Sequence, residues 1–250
     1  MKNYVVLIFL TSVKNVLLYF PKLTGPLRAF YNYFFGEPEI SFIAKEIKSK
    51  SFKYLFYDIG ANYGVYTFFF GKKANKIYVF EPIKECVEYI KSGYSEDNIV
   101  FINKIASDST AIKELKVPII NKRKIFGKAS IVNNFSNFES RDIESVTIDS
   151  YANQMSEISN ELLHVIKIDV EGYENVVLKG ALNLLSEQKV LLIIEIEQRH
   201  NKDYIETFKK MVDLNYGLYY LKDKEIKKID SLNEIEKIMS YQNNFIFKNY

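Results

Sequence analysis

Four short apolar runs, each leading directly into a carboxylate, constrain this chain more than any other feature. Tyr54–Tyr57 leads into Asp58, Ile77–Phe80 into Glu81, Val165–Ile168 into Asp169 and Val190–Ile194 into Glu195. Near-continuous apolar runs of this length suit strands of a parallel sheet, which are buried on both faces. Amphipathic segments lie between them. In Glu174–Leu185, for example, Val177, Leu178, Ala181, Leu182 and Leu185 recur at helical spacing on one face. Strands alternating with such segments predict an α/β fold with a mostly parallel central sheet and helices on both faces. Further strands are expected at Ile99–Ile102, Leu218–Leu221 and Asn244–Phe247. Less regular β-structure is expected around Leu115–Ile120 and Val146–Ile148, with a loop rich in Asn and Ser between. Residues 1–50 read as a helical extension packing on the core, broken at Pro21, Gly25-Pro26 and Gly36-Glu37-Pro38. Residues 51–250 read as one domain, with no internal repeat and no low-complexity linker.

Ligands of open parallel sheets bind outside the carboxyl ends of the strands. Four acids there predict a negative rim. A pyrophosphate-bearing dinucleotide prefers backbone N–H groups free of acids, whereas an adenosine donor carrying a sulfonium and an ammonium is stabilised by nearby carboxylates. The loop Asp58-Ile59-Gly60-Ala61-Asn62-Tyr63-Gly64 joins the first strand to a helix. Its G-x-x-x-G spacing departs from the G-x-G-x-x-G of dinucleotide binders, and glycine there lets a ligand approach the backbone. Glu81 ends the second strand, where a carboxylate can accept hydrogen bonds from both hydroxyls of a ribose.

Composition removes several alternatives. The net charge is +3 with basic residues scattered along the chain, which gives no basic face for nucleic acid. A single cysteine, Cys86, excludes a disulfide framework, and two histidines disfavour a His-rich zinc site. Tyr4 to Phe20 is apolar, but Thr11, Ser12, Lys14 and Asn15 interrupt it well short of the ~20 residues a spanning helix needs. It reads as an amphipathic helix packed on the domain, with peripheral membrane contact through residues 4–20 as the second reading. The expected location is cytoplasmic or at the inner face of a membrane.

The strings YDIGANYGVYT, YVFEP, IKIDVEGYENVVLKGA and LLIIEIEQRHN resemble those of FkbM-type methyltransferases, as do GEPEI before the first strand and NNFIF at the end. The resemblance implies a Rossmann-like, class I methyltransferase sheet with an antiparallel last strand, S-adenosylmethionine as cofactor, and O-methylation of a sugar, glycan or related small-molecule hydroxyl. It places Asp58, Gly60, Asn62 and Gly64 along the methionine part of the cofactor, Glu81 at the ribose, Ala106, Ser107 and Asp108 near the adenine, and Asp169 and Glu171 beside the transferred methyl. Tyr63 and Tyr173 depart from the family, standing where smaller or aliphatic residues are common.

Methyl transfer to an alcohol also requires a group to take the proton. His200, just past the strand ending at Glu195, is the first candidate, with Asp169 and Glu195 as alternatives. His164 precedes a buried strand and reads as structural. Asp169 and Glu195 have the hard oxygen ligands that suit a divalent cation, but no spacing demands a metal. Two rival classes remain: a nicotinamide-dependent oxidoreductase or epimerase, and a methyltransferase-like scaffold that binds without catalysis.

Overall fold

The computed structural model describes residues 21–50, 52–94, 96–152 and 162–250. The segment Tyr4–Phe20 lies outside them. The described chain begins with helices α1 (Pro21–Phe35) and α2 (Pro38–Lys50). Neither these nor any other described helix is long and apolar enough to cross a membrane.

Five strands run parallel: β1 (Tyr54–Ile59), β2 (Lys76–Phe80), β3 (Ile99–Ile102), β8 (Leu163–Ile168) and β9 (Val190–Glu195). Every residue of β1 and β8 is buried, as expected of strands covered on both faces. β12 (Asn244–Lys248) inserts antiparallel between β9 and β10 (Gly217–Lys222), and β11 (Glu225–Lys228) forms the outer edge. The order is β11-β10-β12-β9-β8-β1-β2-β3. This is the Rossmann-like methyltransferase arrangement, including the antiparallel last strand.

Alternation along the strands divides the core into two layers. Leu55, Tyr57 and Ile59 of β1 join Ile166 and Ile168 of β8 on one side. Tyr54, Phe56, Leu163 and Val165 join Ile40 and Ile43 of α2 on the other. That second layer also contains α3 (Val65–Phe70) and α4 (Lys84–Gly93), against which α1 packs; Thr24 and Tyr89 share a hydrogen bond of 2.7 Å. The first layer is covered by α6 (Glu174–Lys179), α7 (Leu182–Glu187), α8 (Tyr204–Asp213) and α9 (Ile235–Met239). Short α5 (Asp149–Ala152) precedes β8.

Three expectations need correction. The helix expected over Glu174–Leu185 is two helices, because Gly180 lies so close to the Ser107 carbonyl that a Cβ there would sit 1.8 Å from its oxygen. The backbone turns at this contact, and Gly180 O instead accepts from Asp149 N. The irregular region forms a second sheet, β4-β7-β5-β6, from β4 (Ile105–Ala106), β5 (Ile112–Ile120), β6 (Arg123–Lys124) and β7 (Phe138–Val146). The second long strand therefore ends at Val146 rather than running on to Ile148, and it starts at Phe138. Its alternate residues face solvent, so it carries no apolar run. Strand β11, exposed throughout, escapes notice for the same reason.

Candidate active site

Parallel strands end together, so β2, β1, β8 and β9, adjacent in the sheet, bring Glu81, Asp58, Asp169 and Glu195 to one edge. They are not equivalent. β1 continues to Ile59, and Asp58 lies below the rim, only 2% exposed. Its Oδ2 accepts from the amide and the hydroxyl of Thr67, at 3.0 and 2.6 Å. Burial pushes its carboxyl up to about 6 against the pull of those two bonds.

The loop after β1 is built on positive φ. Gly60 has φ +78°, and its amide donates to Phe80 O at 2.9 Å. Asn62 has φ +49°, and its amide donates to Glu81 Oε2 at 2.7 Å. The Ile83 amide donates to Glu81 Oε1 at 2.8 Å. The Glu81 carboxylate is thus fixed by two backbone amides, with a lone pair left on each oxygen for a ligand. Burial raises it to about 7, opposed by those two amides and reinforced by the charges of Asp58 and Asp169.

Three hollows meet at Asp169. A cleft of about 650 Å³, its open mouth included, runs past Gly60, Asn62, Glu81 and Glu171 between apolar walls that include Ile83, Ala106 and Leu115. A cavity of about 1630 Å³, also counted with its mouth, lies under α1 and reaches Asp58, Tyr66 and Lys167. A recess of about 210 Å³ is walled by Glu171, Glu174, Glu195, Glu197 and His200. It adjoins a wider hollow edged by Asn133, Asn134, Ser136, Asn137 and Arg199, with which it shares Glu171 and His200.

The remaining residues singled out from the sequence fall as follows. Gly64 begins α3 with φ +72° and packs against Ile90, outside the lining of these hollows. Ser107 is fully buried, its hydroxyl 3.2 Å from the Tyr173 hydroxyl and 3.2 Å from Asp108 Oδ1. Ala106 lines the cleft, whereas Asp108 is exposed. Glu171 has φ +52°, and its carboxyl is raised to about 7 by burial and by the charges of Asp169 and Glu197. Glu195 is held above the usual carboxylate range by burial and by Asp169, with Lys167 opposing. His200 Nε2 lies 3.4 Å from Glu171 Oε2 and 3.3 Å from Glu197 Oε2, while Nδ1 is 3.2 Å from Asn133 Oδ1. Burial and Arg199 lower its basicity. Glu171, Glu197 and His200 also form a group close enough to hold a cation; Asp169 and Glu195 are not part of it. His164 is buried with Nδ1 3.2 Å from the Tyr57 hydroxyl.

Sequence reasoning missed two residues of the α1 cavity. Lys167 is the penultimate residue of β8, in register with Asp58, yet is only 3% exposed. Tyr66 follows the glycine loop on α3 and is 6% exposed. A lysine inside an apolar run was the signal available for the first. Nothing in an aromatic-rich segment marked the second.

The cleft suits an adenosine: apolar walls for a base, a fixed carboxylate with spare lone pairs for two ribose hydroxyls, and a loop of positive φ that admits close approach to the backbone. Residues 58–243 match the family described as the methyltransferase FkbM domain. The chain belongs to that family. As an FkbM-domain protein it is an S-adenosylmethionine-dependent methyltransferase, and the cofactor, when bound, supplies an electrophilic methyl on a cationic sulfur. None of the curated proteins matches the chain. Among solved structures, the methyltransferase domain of bacterial CtHen1 is similar at 12% identity and TM-score 0.42, covering 85% of this chain and 98% of that one. A Streptococcus mutans protein assigned as a methyltransferase and solved with SAH is 10% identical, with TM-score 0.40 and coverages of 79% and 89%. An rRNA methylase from Streptococcus thermophilus is 10% identical, with TM-score 0.38 and coverages of 78% and 85%.

So many raised carboxyls in the FkbM site have a consequence for stability. An acid whose folded pKa exceeds its unfolded one stabilises the fold at low pH, and that contribution is lost as pH rises through the folded value. Asp58, Glu81 and Glu171 do this up to about 6, 7 and 7. His164, pushed by burial to about 4, acts in the opposite sense, losing stability as pH falls below the ordinary histidine value. His200, lowered by burial and by Arg199, acts in the same sense as His164, and the acids outweigh both. Ligand-free protein should therefore melt roughly 5 °C higher at pH 6 than at pH 8 by calorimetry. A melting temperature equal or higher at pH 8 would contradict this.

Proposed function

We propose that this FkbM protein methylates a hydroxyl of a sugar, glycan or related small polar acceptor. The observation that carries the reading is the position of Asp169, which faces all three hollows at once. A sulfonium has three substituents, and a carboxylate shared by three adjoining spaces is where a cationic sulfur with three arms is best stabilised. The adenosine arm belongs to the cleft beside Glu81. The recess toward Glu195 and His200 offers the methyl a path to the hollow edged by Asn133, Asn134, Ser136 and Asn137. Those amides and hydroxyls supply the mixed donors and acceptors that polyhydroxylated ligands require.

The acceptor's proton has to go to a group within hydrogen-bond reach. Of Asp169, Glu195 and His200, Glu195 is the best placed. It lines the recess, and burial beside Asp169 raises its basicity. His200 is already engaged by Glu171, Glu197 and Asn133, which suits a residue that orients its neighbours. Glu195→Gln should accordingly lower transfer about a hundredfold while leaving SAH affinity intact, and His200→Ala should lower it less than tenfold. The reverse ranking would return the base assignment to His200.

The activity is tested by incubating the protein with methyl-labelled S-adenosylmethionine and an extract of cellular glycans and lipids, then hydrolysing the products for mass spectrometry. A sugar bearing a labelled O-methyl ether is the expected product. Label found only on nitrogen or carbon would overturn the hydroxyl reading.

A further inference from the structure

The α1 cavity holds polar groups that the site described so far does not use. Among the described residues the buried Tyr66 hydroxyl has no partner within hydrogen-bond distance, although the Glu37 carboxylate is close enough to act on it. Leaving such a group unsatisfied is destabilising, and a ligand that supplies an acceptor recovers the loss. Beside it, the Lys167 ammonium lies 5.7 Å from the centre of the Tyr66 ring and donates to Asn244 Oδ1 at 3.1 Å. An ammonium has three N–H groups, so two remain for the cavity. Burial alone would drive this lysine toward neutrality, but the charges of Asp169, Glu195, Glu37 and Glu39 outweigh it and keep the side chain cationic.

Both signs of charge line this space. Lys167 and Arg28 are the cations; Asp58, Asp169 and Glu37 are the anions. A phosphate or simple carboxylate would meet three acids, and a simple amine two cations. An α-amino acid head, with a carboxylate and an ammonium on one carbon, meets a partner for each.

We propose that Lys167 and Tyr66 bind the α-carboxylate of the cofactor's amino-acid head, with Asp58 and Glu37 facing its ammonium. This rests on the S-adenosylmethionine reading and adds to it a polar anchor drawn from the carboxyl end of β8 and from the first turn of α3. It also gives the N-terminal helices a part in cofactor recognition, because Arg28 and Glu37 come from α1 and the turn that follows it.

Two ligands separate this anchor from the adenosine cleft. SAH carries the amino-acid head, and 5′-methylthioadenosine keeps the adenosine and sulfur without it. Titration calorimetry of wild-type protein should show SAH binding about a hundredfold more tightly. Lys167→Met should weaken SAH by about a hundredfold, to within a few-fold of methylthioadenosine, and leave methylthioadenosine affinity unchanged. Tyr66→Phe, which removes an oxygen that is unsatisfied in the free protein, should weaken SAH several-fold while the ligand-free melting temperature stays equal or rises. That pairing is one a merely structural role would not produce, and it keeps the test open if Lys167→Met fails to fold. Equal losses for both ligands, or no loss of SAH affinity in Tyr66→Phe, would overturn the assignment. If wild-type protein binds methylthioadenosine as tightly as SAH, the anchor is wrong and the adenosine cleft stands. If it binds neither, the cofactor reading falls first.

Discussion

Asp169→Asn is expected to reduce methyl transfer by about a thousandfold or more, the sum of a lost charge where we propose the sulfonium sits and a disturbed Glu195, the proposed proton acceptor. The two contributions are separable. Asn keeps the shape of the side chain, so the neutral product SAH should still bind within a few-fold of wild type. S-adenosylmethionine, which carries the positive sulfur, should lose more affinity than SAH does. Glu195 should also ionise more readily, because Asp169 is one of the charges that hold its carboxyl up, so the acidic limb of the pH–rate profile should move to lower pH. Turnover within tenfold of wild type, or equal losses for donor and product, would show that Asp169 is not where the sulfur sits.

Gly60→Ala is expected to abolish cofactor binding and to destabilise the fold by about 3 kcal/mol or more. A Cβ at this position would sit 2.0 Å from the Asp169 carbonyl oxygen, and Gly60 already has φ +78°. The substitution therefore meets both a backbone clash and a conformation that L-residues rarely adopt. Relief requires β1 and β8 to separate at the point where Asp169 N donates to Ile59 O. That movement also shifts Asn62 away from Glu81, so damage at one glycine spreads to the Glu81 carboxylate. Denaturant unfolding measures the first effect and SAH calorimetry the second. A variant with wild-type stability and affinity would show that the loop tolerates rearrangement, and the close packing of these strand ends would have to be rejected.

The strands that could be read from sequence are those whose physics is simple. β1, β8 and β9 are buried on both faces, so their residues are nearly all apolar, and the acid that closes each apolar run marks where the face opens. β7, Phe138–Val146, reads as polar because its exposed side carries charged residues and Ser140. The break at Gly180 comes from a contact with Ser107, far away in sequence, and no local window contains it. The same distinction runs through the site. Glu81, Asp169 and Glu195 announce themselves by position at the ends of apolar runs, although Asp58 proved to lie beneath the edge, tied to Thr67. Lys167 was hidden because a buried cation is explained only by its neighbours. Glu37 and Glu39 reach it from the N-terminal helices, and Asn244 from the antiparallel strand β12. Tyr66 carries no signal until its hydroxyl is seen to lack a partner in a cavity.

The account depends on a site in which carboxylates surround a positively charged adenosine donor, with no role for a phosphate-bearing cofactor. Titration calorimetry of the folded protein with S-adenosylmethionine, SAH and NADH tests this most directly. The account predicts saturable heat with the first two, none with NADH, and competition between SAH and S-adenosylmethionine for one site. Binding of NADH, or no heat with either sulfur compound on protein that still melts cooperatively, would contradict it.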